Sequence, residues 1–462
     1  MGNTFKPYWN FKTLFWLLVL IRAYFNGILP LMDQTEARYA EIARLMLETQ
    51  NWVVLQIDYG IPFWAKPPLS TWAAALSMML FGTHPFFVRL PYLLVHIGLA
   101  LGIQKVISNE KIPPYLASLI LFTIPEFYLH SGVVSTDVFL QLAVVLVMGS
   151  FWQMQNTLNY RLWGNLLFFG MGLGLLAKGP IIGILTLPPL FLWTLMQKQF
   201  GSVLKKVPWG TGIPIMLLVA LPWYAAAEKA SPGFLDYFII GEHFSRFFDS
   251  TWTGDRYGFA KQQPLGIIWV FLMGVCLPWI FIAIRYLFKN RNTLKLNAKL
   301  LFLFLWLVWT PFFFTFSKSL IHPYTLPVMV PVALLVIEAW PKVVFKKFYL
   351  SFAIGIPLLL FGFFVLGAGK EAIENSTDRY LVSQHSTDEP IFAYKRKSYS
   401  SQFYTQGNIK IIDSILLQEA LESRNPFSLL IEKKWVHQID TMSLQLIKEN
   451  RKKRLYKFVP SE

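Results

Sequence analysis

The sequence predicts a polytopic, all-α membrane protein carrying a small α/β domain at its C-terminal end. Of 462 residues, 55% are hydrophobic, 17% aromatic and only 15% charged, with a mean hydropathy of +0.45. A soluble domain cannot hide that much apolar surface. Long apolar runs occupy 12–31, 85–107, 113–129, 136–156, 160–177, 180–197, 208–226, 264–288, 299–316, 323–340 and 346–368. They predict about eleven spans, within a range of 11–13. From about Glu371 the runs stop and short alternating segments begin.

The first run follows Lys6 and Lys12 and has no small-residue cleavage site after it, so it reads as a retained signal anchor. The segment 69–82 is apolar but short. Its roughly 14 helical residues reach about 21 Å against a hydrocarbon core of roughly 30 Å. Basic clusters at 198–206, 285–295 and 341–347 decide its placement. With 69–82 as an interfacial helix and a cytoplasmic N-terminus, all three clusters fall inside, which the positive-inside rule favours. The net charge of +16 belongs to such loops. The basic residues are dispersed among apolar runs, so nucleic acid is excluded as a partner. Cys276 is the single cysteine, and no intramolecular disulfide can form.

The same topology puts 32–84, 130–136, Lys178, 227–263, 317–322 and everything after about 369 on the external face. The domain boundary falls there, with a membrane domain at 1–369 and a soluble domain at 370–462. In the tail, "PIFAYK", "NIKIID", "PFSLLIEKK" and "RLYKFVP" read as strands. "SYSSQFYT", "SILLQEALES" and "WVHQIDTMSLQLIKEN" read as helices, giving a mainly parallel sheet. No glycine-rich phosphate loop or metal-ligand spacing occurs in it.

Ionisable residues at membrane depth are costly and usually functional. Here they gather on one face. Asp33 and Glu36 follow the first span three residues apart and share a helical face. Either can serve as a general base, which must be ionised and near its nucleophile; Asp33 or Thr35 can instead cap the helix. Lys66 sits before Pro67 and Pro68, at the head of the helix from 67, where a point charge and free N–H groups suit a phosphate. "GEHFSRFF" at 241–248 offers Glu242, His243 and Arg246, the arginine matching phosphate oxygens. Lys318, His322 and Tyr324 open a late span. Cations for a phosphate and carboxylates for a base fit transfer of a group attached to a lipid phosphate. Lys66, Arg246, Tyr324, Lys178, His243 and Lys318 are the candidate substrate-binding residues, and Asp33, Glu36 and Asp137 the candidate catalytic ones. Polar residues confined to one face, and no internal repeat, count against the alternative of a transporter or flippase for a lipid-linked substrate.

The segments "TEARYAEIARLMLETQNWV", "PFWAKPPLSTW", "STDVFL", "LAKGPI", "GEHFSRF" and "SKSLIHPYTLP", in that order, resemble bacterial type C glycosyltransferases. These are related to the aminoarabinose transferase of lipid A and to protein O-mannosyltransferases. The resemblance covers about residues 30–331. It implies an inner-membrane enzyme that takes a sugar from polyprenyl (undecaprenyl) phosphate. The sugar passes, by inverting displacement in a periplasmic cavity, to lipid A, another glycan or a protein. It implies Lys66, Arg246 and Tyr324 as phosphate ligands and Asp137 as the second aspartate. Two departures stand out. Thr35 occupies the position of the family's base aspartate, leaving Asp33 or Glu36 to replace it. Ala65 stands where the lipid A branch often carries a metal-associated glutamate, so no required metal is expected, although a divalent ion near His243 stays open.

Overall fold

The computed structural model describes residues 10–106, 112–245, 256–257, 262–386 and 388–460. Helix α1 (Phe11–Ile28) starts at Asn10, whose side chain accepts from the Thr13 N–H at 3.2 Å. Helix α2 (Thr35–Thr49) buries an alanine-rich face, Ala37, Ala40 and Ala43, which lets neighbours approach closely. A short antiparallel hairpin, β1 (Gln56–Asp58) and β2 (Ile61–Pro62), leads through Lys66-Pro67-Pro68 into α3 (Leu69–Phe81). At 13 residues, α3 is about 20 Å long, short of the hydrocarbon core. It packs across α2 and α4 (Pro85–Val106) and exposes Leu76, Met79, Leu80 and Phe81.

The membrane part continues through α5 (Leu116–Phe122), α6 (Pro125–His130), α7 (Thr136–Asn156), α8 (Tyr160–Lys178) and α9 (Ile181–Met196). Then come α10 (Phe200–Lys206), α11 (Trp209–Ala230), a wide turn at Asp236–Ser245, α12 (Ile267–Val275) and α13 (Trp279–Lys289). Helices α14 (Ala298–Phe314), α15 (Met329–Ala339, entered through a tight turn at His322–Val328) and α16 (Lys346–Val365) complete it. Among the described residues six helices are long and apolar enough to cross a membrane, or seven if α12 and α13 count as one bent span. Two of the predicted spans are not straight helices. The run 113–129 divides at Ile124, because Pro125 lacks an N–H and the Thr123 hydroxyl turns back onto the Leu119 carbonyl at 2.7 Å. The run 264–288 bends by 111° at Cys276–Pro278.

Helix α8 is the centre of the bundle because its glycines admit close neighbours. A Cβ on Gly172 would lie 2.8 Å from Val219 of α11, and one on Gly170 3.1 Å from Val147 of α7. Small residues at such crossings replace the hydrophobic drive that lipid removes.

In the tail, short helices α17 (Lys370–Glu374) and α18 (Arg379–Val382) precede a five-stranded sheet. It holds β3 (Ile391–Tyr394), β4 (Lys410–Ile412), β5 (Phe427–Glu432), β6 (Leu444–Glu449) and β7 (Lys453–Phe458), in the order β4-β3-β5-β7-β6. Helices α19 (Tyr399–Tyr404) and α20 (Ser414–Glu422) connect its parallel strands. The sheet is mixed rather than mainly parallel, since β7 runs antiparallel to β5 and β6. The difference comes from 435–450, predicted as helix: it forms a tight turn and then β6. There Leu444 and Leu446 alternate with Gln445, a period-2 signal that pairs against Phe458 and Tyr456.

Two polar clusters organise the segment that follows α1. The Glu36 carboxylate receives both arms of Arg89 at 2.8 and 2.7 Å, the Met32 N–H at 3.2 Å and the Val134 N–H at 3.4 Å. The Asp33 carboxylate receives the Ser400 N–H at 3.0 Å and the Ser400 hydroxyl. Around it Tyr404 Oη accepts from Leu31 N–H at 2.7 Å, and Lys397 pairs with Asp58 at 2.9 Å. Helix α19 is thereby clamped onto α2 and β1.

Breaking a buried pair leaves an uncompensated charge. Arg89→Ala should therefore cost about 3–5 kcal/mol, read as a fall in thermal unfolding temperature. Adding Glu36→Gln should recover part of that loss. The seam to the tail should respond to pH. Burial, reinforced by Asp378, raises the Asp33 carboxyl to about 6 against the Ser400 donors and Lys453. A folded pKa above the unfolded value stabilises fully below about pH 4 and is lost as pH rises through 6. The wild type should therefore lose stability between pH 4 and 7, on the order of 1–3 kcal/mol. Asp33→Asn should flatten that slope in melting curves taken across the range.

Candidate active site

A cavity of about 270 Å³ opens where α7, α8, α9, α14 and two turns meet. Its polar wall includes Lys66, Asp137, Lys178, Glu242, His243 and Tyr324, with Ser317 and Ser319. Its apolar wall includes Leu140, Ile181, Ile184, Leu185, Phe313 and Phe314. Two of these side chains, Asp137 and Lys178, reach it from helix ends.

Asp137 lies in the first turn of α7. Ser135 is the N-cap, its hydroxyl accepting from the Asp137 N–H at 3.2 Å. A carboxylate there is favoured by the helix dipole. Lys178 is the last residue of α8, where the dipole favours a cation. The two form an ion pair. The Lys178 ammonium also lies 4.1 Å from the centre of the Tyr324 ring, over its electron-rich face. Tyr324 sits in the turn entering α15, and His322 of that turn is held by the buried Glu126 at 2.8 Å.

Across the cavity, Lys66 donates to the Ala65 carbonyl at 2.6 Å and to Glu242 Oε2 at 3.4 Å. The other Glu242 oxygen accepts from the Tyr237 hydroxyl at 3.2 Å. Both ion pairs are largely buried, so each charge needs its counterpart. Burial holds the His243 imidazole below its ordinary pKa, and Lys66 pushes the same way. Its Nδ1 lies 2.7 Å from the Phe238 carbonyl and its Nε2 3.3 Å from the Lys178 carbonyl. Gly179 makes this juncture possible. Its φ is +79°, and a Cβ would meet Phe238 at 2.6 Å and His243 at 3.3 Å.

Of the sequence candidates, the structure brings Lys66, Asp137, Lys178, His243 and Tyr324 together. Arg246 lies outside the described residues. Lys318 is exposed and does not line the cavity, although its neighbours Ser317 and Ser319 do. Asp33 and Glu36 do not line it either, because Ser400 and Arg89 hold them elsewhere. Sequence reasoning noted Glu242 without giving it a role, and its nearness to Lys66 across 176 positions leaves no sequence signal. Among the described residues, no group of three or more His, Cys, Asp or Glu could hold a metal ion.

Residues 10–238 match the family described as Dolichyl-phosphate-mannose-protein mannosyltransferase. Over this region the chain is similar to that family. The matched region includes Lys66, Asp137 and Lys178, while Glu242, His243 and Tyr324 follow it. The chain is 29% identical over 333 residues to "Undecaprenyl phosphate-alpha-4-amino-4-deoxy-L-arabinose arabinosyl transferase" of Enterobacter sp. (strain 638), covering 70% of this chain and 57% of that one. It is 28% identical over 317 residues to the protein of the same name from Aeromonas hydrophila, covering 66% and 55%. The chain thus spans little more than half the length of these curated relatives. Its fold is similar to that of ArnT from Cupriavidus metallidurans, solved bound to undecaprenyl phosphate. The TM-score is 0.77, with 98% of both chains covered at 17% identity.

Gly179→Ala should strain the positive φ and overpack the contact with Phe238 and His243. A cost of about 1–3 kcal/mol is expected in thermal unfolding.

Proposed function

We propose that this chain is a membrane glycosyltransferase that moves a sugar from polyprenyl (undecaprenyl) phosphate to an acceptor by a single inverting displacement. The cavity carries this reading: two half-buried ammonium groups, those of Lys66 and Lys178, line it together with an apolar wall. The donor phosphate sits between Lys66 and Lys178, and Tyr324 orients Lys178. The polyprenyl chain leaves along Ile181, Ile184 and Phe313. Negative charge builds on the phosphate as its bond to the sugar breaks, and preorganised cations in a dry site stabilise that charge strongly. Asp137 fixes the Lys178 ammonium, and Arg246 is assigned as a further phosphate ligand. The lysine charges serve without a metal.

The names of the relatives support undecaprenyl phosphate as the donor carrier. The acceptor is assigned to the class of lipid A, another glycan or a protein. We place the chain in a bacterial inner membrane with eleven spans. The cavity and the accessory domain from residue 370 face the periplasm, since the basic loops at 198–206, 285–295 and 341–347 then lie inside.

Lys66→Ala and Lys178→Ala should each lower sugar transfer by about 10²-fold or more in membranes of a deletion strain complemented with the variants. Mass spectrometry of the envelope glycolipids reads the transfer. EDTA should leave the wild-type rate unchanged. Near-normal transfer by both lysine variants would refute the phosphate assignment.

A further inference from the structure

We propose that the tail and the helix ends beside it form a seat for an anionic phospholipid, with Arg379, Arg451 and Lys452 taking the phosphate of its headgroup.

The seat starts from two helices that run side by side. Helices α1 and α16 are both long and apolar enough to cross a membrane. Phe361 lies 5.8 Å from the Tyr24 ring and 5.7 Å from Phe25, and Phe364 lies 5.3 Å from Phe25. These contacts fall near the C-terminal end of each helix, so both end on the same side. The outward face of the pair is open, with Leu20, Leu359 and Phe363 more than half exposed. In a bilayer such a face meets acyl chains. At 1.5 Å per residue the 20 residues of α16 rise about 30 Å, the thickness of the hydrocarbon core. Val365 and Ile28, the last residues of the two helices, therefore stand at the edge of a headgroup layer about 5–7 Å deep.

The tail sets cations on that edge. Arg379, the first residue of α18, donates to the Ile28 carbonyl at 3.4 Å and lies 5.5 Å from the centre of the Tyr404 ring. The turn between β6 and β7 docks on the segment that follows α16. Asn450 donates to the Glu374 carbonyl at 3.2 Å, the Arg451 N–H to Asn375 Oδ1 at 2.8 Å, and Lys452 Nζ to the Asn375 carbonyl at 3.2 Å. The short segment from Glu374 to Arg379 thus gathers all three cations near the helix ends. Arg451 and Lys452 are exposed. The neighbouring carboxylates serve other cations: Asp378 pairs with Lys453 at 2.5 Å, and Glu449 with Lys433 at 3.0 Å and Arg454 at 2.8 Å. Helix α17 adds Lys370, Glu371 and Glu374, and the cations remain in excess.

The chemistry selects the partner. Surplus cations at headgroup depth, above a face open to acyl chains, suit a molecule that is anionic at one end and apolar along its length. The arginine forks match phosphate oxygens, and the lysine adds a point charge. A zwitterionic lipid brings its own cation beside the phosphate and gains less from this edge. The bound headgroup ties α1, α16 and the tail together, alongside the direct contacts of Ser400 with Asp33 and Lys397 with Asp58.

The test uses the purified full chain in nanodiscs of phosphatidylcholine with a trace of phosphatidylglycerol carrying a photoreactive headgroup, and crosslinked peptides are mapped by mass spectrometry. Label is expected at 370–379 and 450–453. Unlabelled phosphatidylglycerol should displace it, and phosphatidylethanolamine should not. In the double variant Arg451→Gln, Lys452→Gln that label should fall by about tenfold or more, at about fivefold per cation lost. Label on the basic loops at 198–206 and 285–295 should stay constant and report an intact chain. The double variant Arg451→Lys, Lys452→Arg, which keeps both charges, should label like the wild type. Absence of label at these segments in the wild type, equal displacement by the zwitterionic lipid, or undiminished label in the glutamine variant would each overturn the proposal. A fall shared equally by the basic loops would overturn it too. So would equal loss in the charge-keeping variant, which would mark the two side chains as structural partners of Asn375.

Discussion

The architecture around the end of α1 depends on one buried ion pair. Arg89 of α4 reaches the end of α1, where it donates to the carbonyls of Asn26, Leu29 and Pro30 at 2.6–3.0 Å. It then closes on Glu36 of α2 with both arms. Glu36 in turn gathers the N–H groups of Met32 and Val134. Val134 stands three residues before Asp137. One pair thus fixes the exit of α1, the start of α2, the first turns of α4 and the approach to α7. A planar guanidinium suits this work, because its rigid fork can meet a carboxylate and several carbonyls at once. A lysine could satisfy neither geometry nor count.

The cavity obeys the same constraint with a different outcome. Buried charges must be matched, and here the matches are Lys178 with Asp137 and Lys66 with Glu242. The first pair is close and flanked by a serine and an aromatic face. The second is longer, at 3.4 Å. The helix ends contribute as well: Asp137 starts a helix and Lys178 ends one, so each charge is set in the field that suits it.

Much of this was legible in the sequence, and the boundary is physical. Apolar runs and the Lys-Pro-Pro step are local signals, and they gave the membrane class, the short helix at Leu69–Phe81 and the place of Lys66 before it. Alternation in the tail gave four of its five strands. The fifth, Leu444–Glu449, was lost inside a longer stretch whose mixed periods read as helix. The breaks at Pro125 and Pro278 were hidden because each proline lies in an unbroken apolar run. The least legible point was the fate of Asp33 and Glu36. Two acids at a membrane mouth carry the same composition whether they face a substrate, an arginine 53 positions on or a serine 367 positions on. Only the fold separates these, because the partners are remote in sequence.

The contacts around Asp33 also bear on why a membrane domain should keep a folded tail. Helix α19 presses on Asp33, Leu31 and Asp58. From the same α2, Arg38 donates to the Tyr257 carbonyl at 2.6 Å, and Tyr257 Oη donates to the Pro62 carbonyl at 2.9 Å. The Trp64 N–H completes the run by donating to Tyr257 Oη at 3.2 Å. Trp64 is two residues from Lys66. The extended segment 62–66 has little regular secondary structure to hold it, since prolines follow it and the hairpin before it is short. Its rigidity must come from outside, from Tyr257 on one side and from an α2 held down by the tail on the other. The tail thus stiffens the strand of chain that presents Lys66, which gives the domain a physical reason to be joined to the membrane part.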